Sequence, residues 1–289
     1  MITERHSGPG MECSFWEFGA IVRHEKTRHE AGLVSATEAQ RKFDVPVFVT
    51  SRSSGLDQPK DPQATLEAAL DNARSKGWIE RSGRLNDQWY EIVSALVYGH
   101  SLSYLYLTEP DRAETRAMVA VNQLAFRIVL RGDQVWIDEV ARNAAESTLV
   151  ACLPDVSPAA GRGVKIPTEI LAAAGTEAEN HKADQGDWIA YELGQAGIRS
   201  EDARAIGNLV KLADRVIGQF NVAIRESNGK SHLAPWAITT HHSPSGRVAQ
   251  IPQPPRAENT LVTPADTKTL TGALRSCLDD LRLQSRNGR

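Results

Sequence analysis

From Asp61 onward the apolar residues follow two alternating periods. Asp61 and Pro62 supply an N-cap and a proline at the first helical position, and Leu66, Ala69, Leu70 and Ala73 recur every three or four residues, predicting an amphipathic helix. Trp89, Ile92, Val93 and Leu96 repeat that spacing and predict a second helix that stops near Gly99. The period then drops to two. "SLSYLYL" (101–107), "RAMVAVN" (116–122), "AFRIVLR" (125–131) and "QVWIDEV" (134–140) are runs of β-branched, aliphatic and aromatic residues separated by turn residues, the pattern of an antiparallel meander. Apolar or small residues at Ala141, Ala144, Ala145, Thr148, Leu149 and Cys152 predict a closing helix, ended by Pro154 and Pro158.

The second half repeats the scheme. It starts at "KIPTEILAAAG", continues through a helix carrying Trp188, Ile189 and Leu193, and reaches a helix capped by Ser200 with its stripe at Ile206, Leu209, Val210 and Ala213. "QFNVAIRE" then turns at Asn228-Gly229 into "SHLAPWAITTHH", and "SPSG" turns into "RVAQIP". Thr263-Pro264 caps a last helix with Leu270, Ala273, Leu274, Cys277, Leu278 and Leu281 on one face. The expected fold is therefore α+β. Two quasi-equivalent halves, residues 1–158 and 159–289, each run helices, antiparallel meander, helix. They make one compact domain with a pseudo-two-fold repeat, its meanders joined in a central, mostly antiparallel sheet flanked by helices. The alternation of Phe126, Ile128 and Leu130 with Arg127 and Arg131 predicts one buried and one more exposed sheet face. "FDVPVFVTS" (43–51) reads as a further strand, at an edge because of Pro46. Residues 13–30 are compatible with either helix or strand.

Composition narrows the function. A chain of 289 residues with a formal net charge of −3 presents no basic field for phosphate neutralisation, so nucleic acid is not an expected partner. Cys13, Cys152 and Cys277 are far apart and in no metal-binding or disulfide spacing, which suits a reducing, cytoplasmic setting. The N-terminal apolar patch from Cys13 to Val22 is interrupted by Glu17 and reads as neither signal peptide nor membrane span. No uninterrupted apolar run elsewhere approaches the roughly 20 residues that a bilayer crossing needs, so no stable membrane insertion is expected.

Each candidate for chemistry has a plainer reading. His241 and His242 are neighbours on a predicted strand and point to opposite faces, which suits no shared metal. His24 and His29 are offset around their helix and read as part of a solvated charged face. "YGHSLSY" resembles a nucleophile elbow at Ser101, but its helix comes before the serine and its strand after, the reverse of what the elbow requires. Arg131-Gly132-Asp133 falls between two strands and reads as a hairpin turn, and "AAGRGVK" (159–165) as a linker without phosphate-loop spacing. The acidic pairs Glu139/Glu146 and Asp279/Asp280 show no sign of convergence. No catalytic, cofactor or metal site is expected.

The succession "VPVFVTSRSSG…DPQATLEAALDNARSKGWIERSGRLNDQWYEIVSALVYGHSLSYLYL", "AVNQLAFRIVLRGDQVWIDEV", "GQFNVAIRESNGK" and "TLVTPADTKTLTGALRSCLDDL" resembles the EspG family of type VII (ESX) secretion-associated chaperones of actinobacteria, from about residue 44 to 284. The resemblance implies a cytoplasmic, non-enzymatic chaperone. It would bind the helical tip of PE/PPE-type or related helical secreted proteins, keep them soluble and direct them to one secretion machine. It also implies a partner surface made by the loop between the second and third meander strands and by the helical bundle of the second half. In this chain the loop is "TEPDRAET", with Thr108, Glu109, Asp111, Arg112 and Glu114 as candidates. Two other readings stay open: a non-catalytic scaffold or regulatory module that dimerises, and a serine hydrolase acting through Ser101.

Overall fold

The computed structural model describes residues 10–44, 46, 59–108, 114–181, 184–210, 216–226, 229–243, 245–254 and 257–287. The chain divides into two compact units, one formed by residues 3–149 with 223–232 and the other by 150–222 with 233–289. Both combine antiparallel strands with helices.

The first unit opens with β1 (Met11–Ser14) and α1 (Phe15–Glu30), followed by α2 (Ala36–Ala39), α3 (Pro62–Ser75) and α4 (Asp87–Tyr98). Residues 13–30 are thus the end of a short strand and a helix. The switch falls at Ser14, whose hydroxyl accepts the Glu17 N–H (3.1 Å) while Glu17 Oε2 accepts the Ser14 N–H (2.8 Å), a capping box. Glu17 Oε1 also accepts from Asn72 Nδ2 and Lys76 Nζ of the α3 end, each at 2.5 Å. One side chain therefore closes the start of α1 and ties it to α3. Asp61 caps α3 and Asn86 caps α4, and Pro62 takes the predicted first helical position.

The meander follows as β2 (Ser101–Leu107), β3 (Thr115–Val121), β4 (Ala125–Arg131) and β5 (Gln134–Val140), in the order β1-β5-β4-β3-β2, every pair antiparallel. Arg131 pairs with Gln134 across the two-residue turn Gly132-Asp133, where Gly132 has φ +57°, a conformation that costs glycine nothing. Direct partners line Tyr104, Met118, Ile128, Ile137 and Met11 across the strands, and these pack with Phe18, Trp89, Ile92 and Leu96 of α1 and α4. The alternation of buried and part-exposed residues holds along β4, but β3 is buried at every position, Arg116 included. Sequence alternation missed this because Ala117 and Val119, like Met118 and Ala120, are small or apolar on both faces. The closing helix is shorter than its stripe implied: a 3₁₀ turn at Arg142–Ala144, then α5 (Ala145–Val150).

His24 and His29 are half-buried rather than on a solvated face. Their Nε2 atoms lie 2.8 Å from the Gly83 carbonyl and 2.9 Å from the Glu38 carbonyl, so both brace α1 against neighbouring backbone. The expected strand over 43–51 falls mainly on Val45 and residues 47–51, outside the described residues. The segment 223–232 completes this unit. Ala223 joins its core, the Arg225 N–H donates to the His100 carbonyl, and the Arg225 guanidinium donates to the carbonyls of Val97 and Asp44.

The second unit contains β6 (Val164–Pro167), α6 (Thr168–Ala178), α7 (Gln185–Gln195), α8 (Ser200–Val210), much of β7 (Val216–Arg225), β9 (Ile238–Ser243), β10 (Gly246–Gln253), β11 (Asn259–Pro264) and α9 (Thr267–Asn287), while β8 (Ser231–Leu233), which pairs with β7, lies largely in the first unit. The strand order is β7-β9-β10-β11-β6, antiparallel throughout. Three expectations need correction here. Thr263-Pro264 does not cap the last helix but ends β11, and Asp266 Oδ1 instead accepts the Thr269 N–H at 2.7 Å. The end of the supposed linker 159–165 is already β6, paired to β11. The stretch 231–242 breaks at Ala234–Ala237 into β8 and β9. The two missed strands are short and lack the alternating signature: "VKIP" and "NTLVTP" each end in proline at a strand limit.

Although burial opposes it, the hydrogen bonds from Lys76 and Ser14 hold the Glu17 carboxyl below its usual 4.5. A carboxyl lowered in the folded state stabilises above its unfolded value and loses that contribution as pH falls through the folded one. Glu17→Gln is expected to cost about 2 kcal/mol at pH 7 by urea denaturation. The difference from the parent should shrink as the pH is lowered below 4.5.

Candidate partner-binding surface

The loop candidates separate on inspection. Thr108 follows β2 and is exposed, whereas Glu114, just before β3, is half-buried and accepts a 2.8 Å hydrogen bond from Arg116 Nε. Arg116 is buried and lies over the Tyr106 ring, 5.6 Å from its centre, so Glu114 also neutralises a buried cation. Glu109, Asp111 and Arg112 lie outside the described residues.

The catalytic and metal candidates find no supporting geometry. Ser101 is the first residue of β2, paired with Val121 and 4% exposed, a sheet-interior position with no strained strand-to-helix turn. His241 and His242 stand opposite Val248 and Arg247 on β9–β10; His241 Nε2 sits 3.2 Å from Gln250 Nε2, and burial pushes its pKa down. Among the described residues, no group of three or more His, Cys, Asp and Glu could hold a metal ion.

A more specific surface comes from the helices of the second unit. Gly186, Ile189 and Leu193 form the buried stripe of α7. Ala203, Ile206, Gly207, Leu209 and Val210 form that of α8. The two helices cross where both are smallest: a Cβ on Gly207 would lie 2.4 Å from the Gly186 carbonyl oxygen and 3.0 Å from Ala190 Cβ. The base of α8 is fixed by Asp202, which accepts from Arg162 Nη2 at 2.7 Å and Arg199 Nε at 2.9 Å. The Arg162 guanidinium, then Arg199, lowers the Asp202 carboxyl from its usual range.

With Ile189 and Leu193 turned inward, Trp188 and Tyr191 fall on the outer side of α7. The His181 ring stacks on Trp188 with centres 3.8 Å apart, and Tyr191 meets Trp188 edge-on at 5.6 Å. Trp188 is half-buried against the unit core and Tyr191 is 55% exposed. Asp187 and Glu192 flank them. An aromatic ledge set in acidic and polar residues has the makings of a protein-contact surface: rigid amphipathic rings offer area at little entropic cost, with water-facing groups around them.

A family model described as the EspG family matches residues 30–276. The chain belongs to the EspG family. Its backbone is similar to a solved Mycobacterium tuberculosis type VII secretion system chaperone, EspG5, in complex with the PE25–PPE41 dimer. The likeness has a TM-score of 0.60 at 15% identity and covers 94% of this chain and 97% of that one, and it establishes the fold. No curated protein matches the chain. Among the described residues, no helix of this EspG-family protein is long and apolar enough to cross a membrane.

The family resemblance implies the helical bundle of the second half as partner surface but singles out none of its residues. Trp188 was visible only as a helix residue, and Tyr191 carried no expectation. The available signal was phase, since Trp188 and Tyr191 are three apart and off the stripe set by Ile189 and Leu193.

Two substitutions test this construction. Gly207→Ala gains about 1 kcal/mol of helix propensity, but the Gly186 carbonyl is backbone and cannot swing aside. Overpacking of about 1–3 kcal/mol should prevail, lowering stability in chemical denaturation. Tyr191→Ala, by contrast, should change stability by no more than about 0.5 kcal/mol, because its ring is largely solvated already.

Proposed function

We propose that the protein is a cytoplasmic, non-enzymatic chaperone of a type VII (ESX) secretion system that binds the helical tip of PE/PPE-type secreted proteins, keeps them soluble and directs them to export. The observation that carries this reading is the EspG family match across residues 30–276. Support comes from the EspG5 relative, solved with a PE25–PPE41 dimer bound. The physical sense is direct, since an apolar helix tip in water is an aggregation hazard until a complementary surface covers it.

Two stretches of this chain are assigned to the contact. One is the loop bearing Thr108, Glu109, Asp111, Arg112 and Glu114, short and rich in charge, which suits selection among clients more than raw affinity. The other is the Trp188–Tyr191 ledge on α7, whose large exposed ring suits an anchoring role. The chain is also read as a duplication, residues 1–158 and 159–289, because helices, antiparallel strands and a closing helix succeed one another in each half.

The test is co-expression of the tagged protein with PE–PPE pairs encoded beside its gene, followed by size-exclusion chromatography and mass spectrometry. A stoichiometric ternary complex is expected. Tyr191→Ala should weaken it by about tenfold or more, and Asp111→Ala with Arg112→Ala should change which pair is retained. Recovery of the protein alone or as a self-associated species, with every such pair soluble in its absence, would overturn the proposal.

A further inference from the structure

In the first unit, stretches far apart in sequence meet around a cavity of about 220 Å³, and Arg41, Lys42 and Arg225 bring three cationic side chains to its wall. Each is carried by an anchored piece of chain. The Arg41 N–H donates to the Glu38 carbonyl at 2.8 Å, and Phe43 meets Tyr98, also in the wall, edge-on with ring centres 6.2 Å apart. Gly229, at φ +84°, passes so near that a Cβ on it would lie 3.4 Å from the Lys42 backbone nitrogen. Arg225 donates Nε to Ser231 Oγ at 3.3 Å and its terminal nitrogens to the carbonyls of Val97 and Asp44.

The carboxylates nearby are turned to other partners. Glu226, the acid of the wall, has a side chain only 9% exposed, and His232 Nε2 lies 2.9 Å from its Oε1. Asp44 Oδ2 accepts the Ser231 hydroxyl at 3.1 Å. By contrast, neither the Arg41 guanidinium nor the Lys42 ammonium has a hydrogen-bond or ion-pair partner among the described residues; Arg41 lies over the Tyr98 ring, 5.8 Å from its centre. Lys42 is exposed and Arg41 half-buried, so both groups are within reach of a ligand. Burial pushes the Arg225 pKa down, with Asp44, Tyr104 and Tyr98 opposing, so a negative charge nearby would favour this cation. In a chain of formal net charge −3, three cations on one wall make a local positive field. What this wall lacks is an anion.

We infer that this cavity binds a phosphate group, as the free ion or on a small monoester, with Arg41 and Lys42 donating to its oxygens and Arg225 adding positive charge behind them. A planar fork beside a compact ammonium suits an anion with several acceptor oxygens. A cation would meet three like charges, and an apolar ligand would leave Arg41 and Lys42 as they are. The volume is below the roughly 300–1,000 Å³ of sites for drug-sized ligands, which limits the ligand to a small one. The inference does not rest on the chaperone reading, and its test contains no client.

The experiment uses the full chain, amide-labelled and followed by NMR while inorganic phosphate is added, with sodium chloride holding the ionic strength constant. Saturable shifts centred on Lys42, Tyr98 and Gly229 are expected. Arg41→Gln with Lys42→Gln should weaken the response about tenfold or more, the loss of at least one charge-assisted hydrogen bond. Unchanged amide dispersion and melting temperature show that this variant folds. Lys165→Gln with Lys268→Gln removes the same charge from exposed positions of the second unit and should leave the response unaltered. A parallel titration with glycerol 3-phosphate separates the sources: tighter binding assigns a small monoester, and equal or weaker binding assigns the free ion. Absence of saturable shifts with either compound, equal binding by the Arg41→Gln, Lys42→Gln variant, or equal weakening by the second-unit variant would overturn the inference, leaving Arg41 and Lys42 as solvated surface charge.

Discussion

The row Tyr104, Met118, Ile128, Ile137 and Met11 crosses hydrogen-bonded strands of the first unit, and removing it from water is the interaction around which that unit is organised. Burial of each fully enclosed member, Met118, Ile128 and Ile137, contributes about 1.5–3 kcal/mol, but only if a second surface meets the row in a fixed position. Phe18 and Trp89, both almost fully buried, supply that surface from α1 and α4. The polar machinery of the unit serves this docking. Ser14 and Glu17 set where α1 begins, Asn72 and Lys76 hold α3 to it, and His24 and His29 fasten its far end to neighbouring carbonyls.

The second unit meets the same requirement with less side chain. Where α7 and α8 cross, Gly186, Ala190 and Gly207 allow nearly backbone-to-backbone contact, and close packing replaces large apolar area. Close approach leaves no slack in the rotation of α7 about its axis. With Ile189 and Leu193 fixed inward, Trp188 and Tyr191 are fixed outward, and His181 stacked on Trp188 immobilises the ring that carries the ledge. A surface held that rigidly loses little entropy when it is covered. In an EspG-family protein this is the physical case for assigning contact to α7.

How legible each part was follows from the strength of its local signal. The meander was readable because its runs alternate and its turn at Gly132-Asp133 is chemically defined, and α3 and α4 because caps and stripes agree. β6 and β11 were not, because short strands bounded by proline carry little alternation and owe their pairing to partners distant in sequence. The same limit applies to the surface features. Neither the burial of Glu25 nor the exposure of Tyr191 is a property of neighbouring letters; both depend on which tertiary contacts the fold makes or leaves out. Glu114 shows the converse, since a residue read as loop charge is tied to the buried Arg116 two positions on.

The return of the chain to the first unit sets an order of events in synthesis. Ala223 and Arg225 belong to that unit, yet the intervening residues 150–222 belong to the other. Until that stretch and the strand after it have left the ribosome, the carbonyls of Val97 and His100 lack the donors that finally satisfy them. The first unit therefore cannot be completed as an N-terminal domain on a growing chain. Its closure waits for Arg225, whose contact with Val97 spans 128 residues of chain and carries the loop-closure cost of that separation.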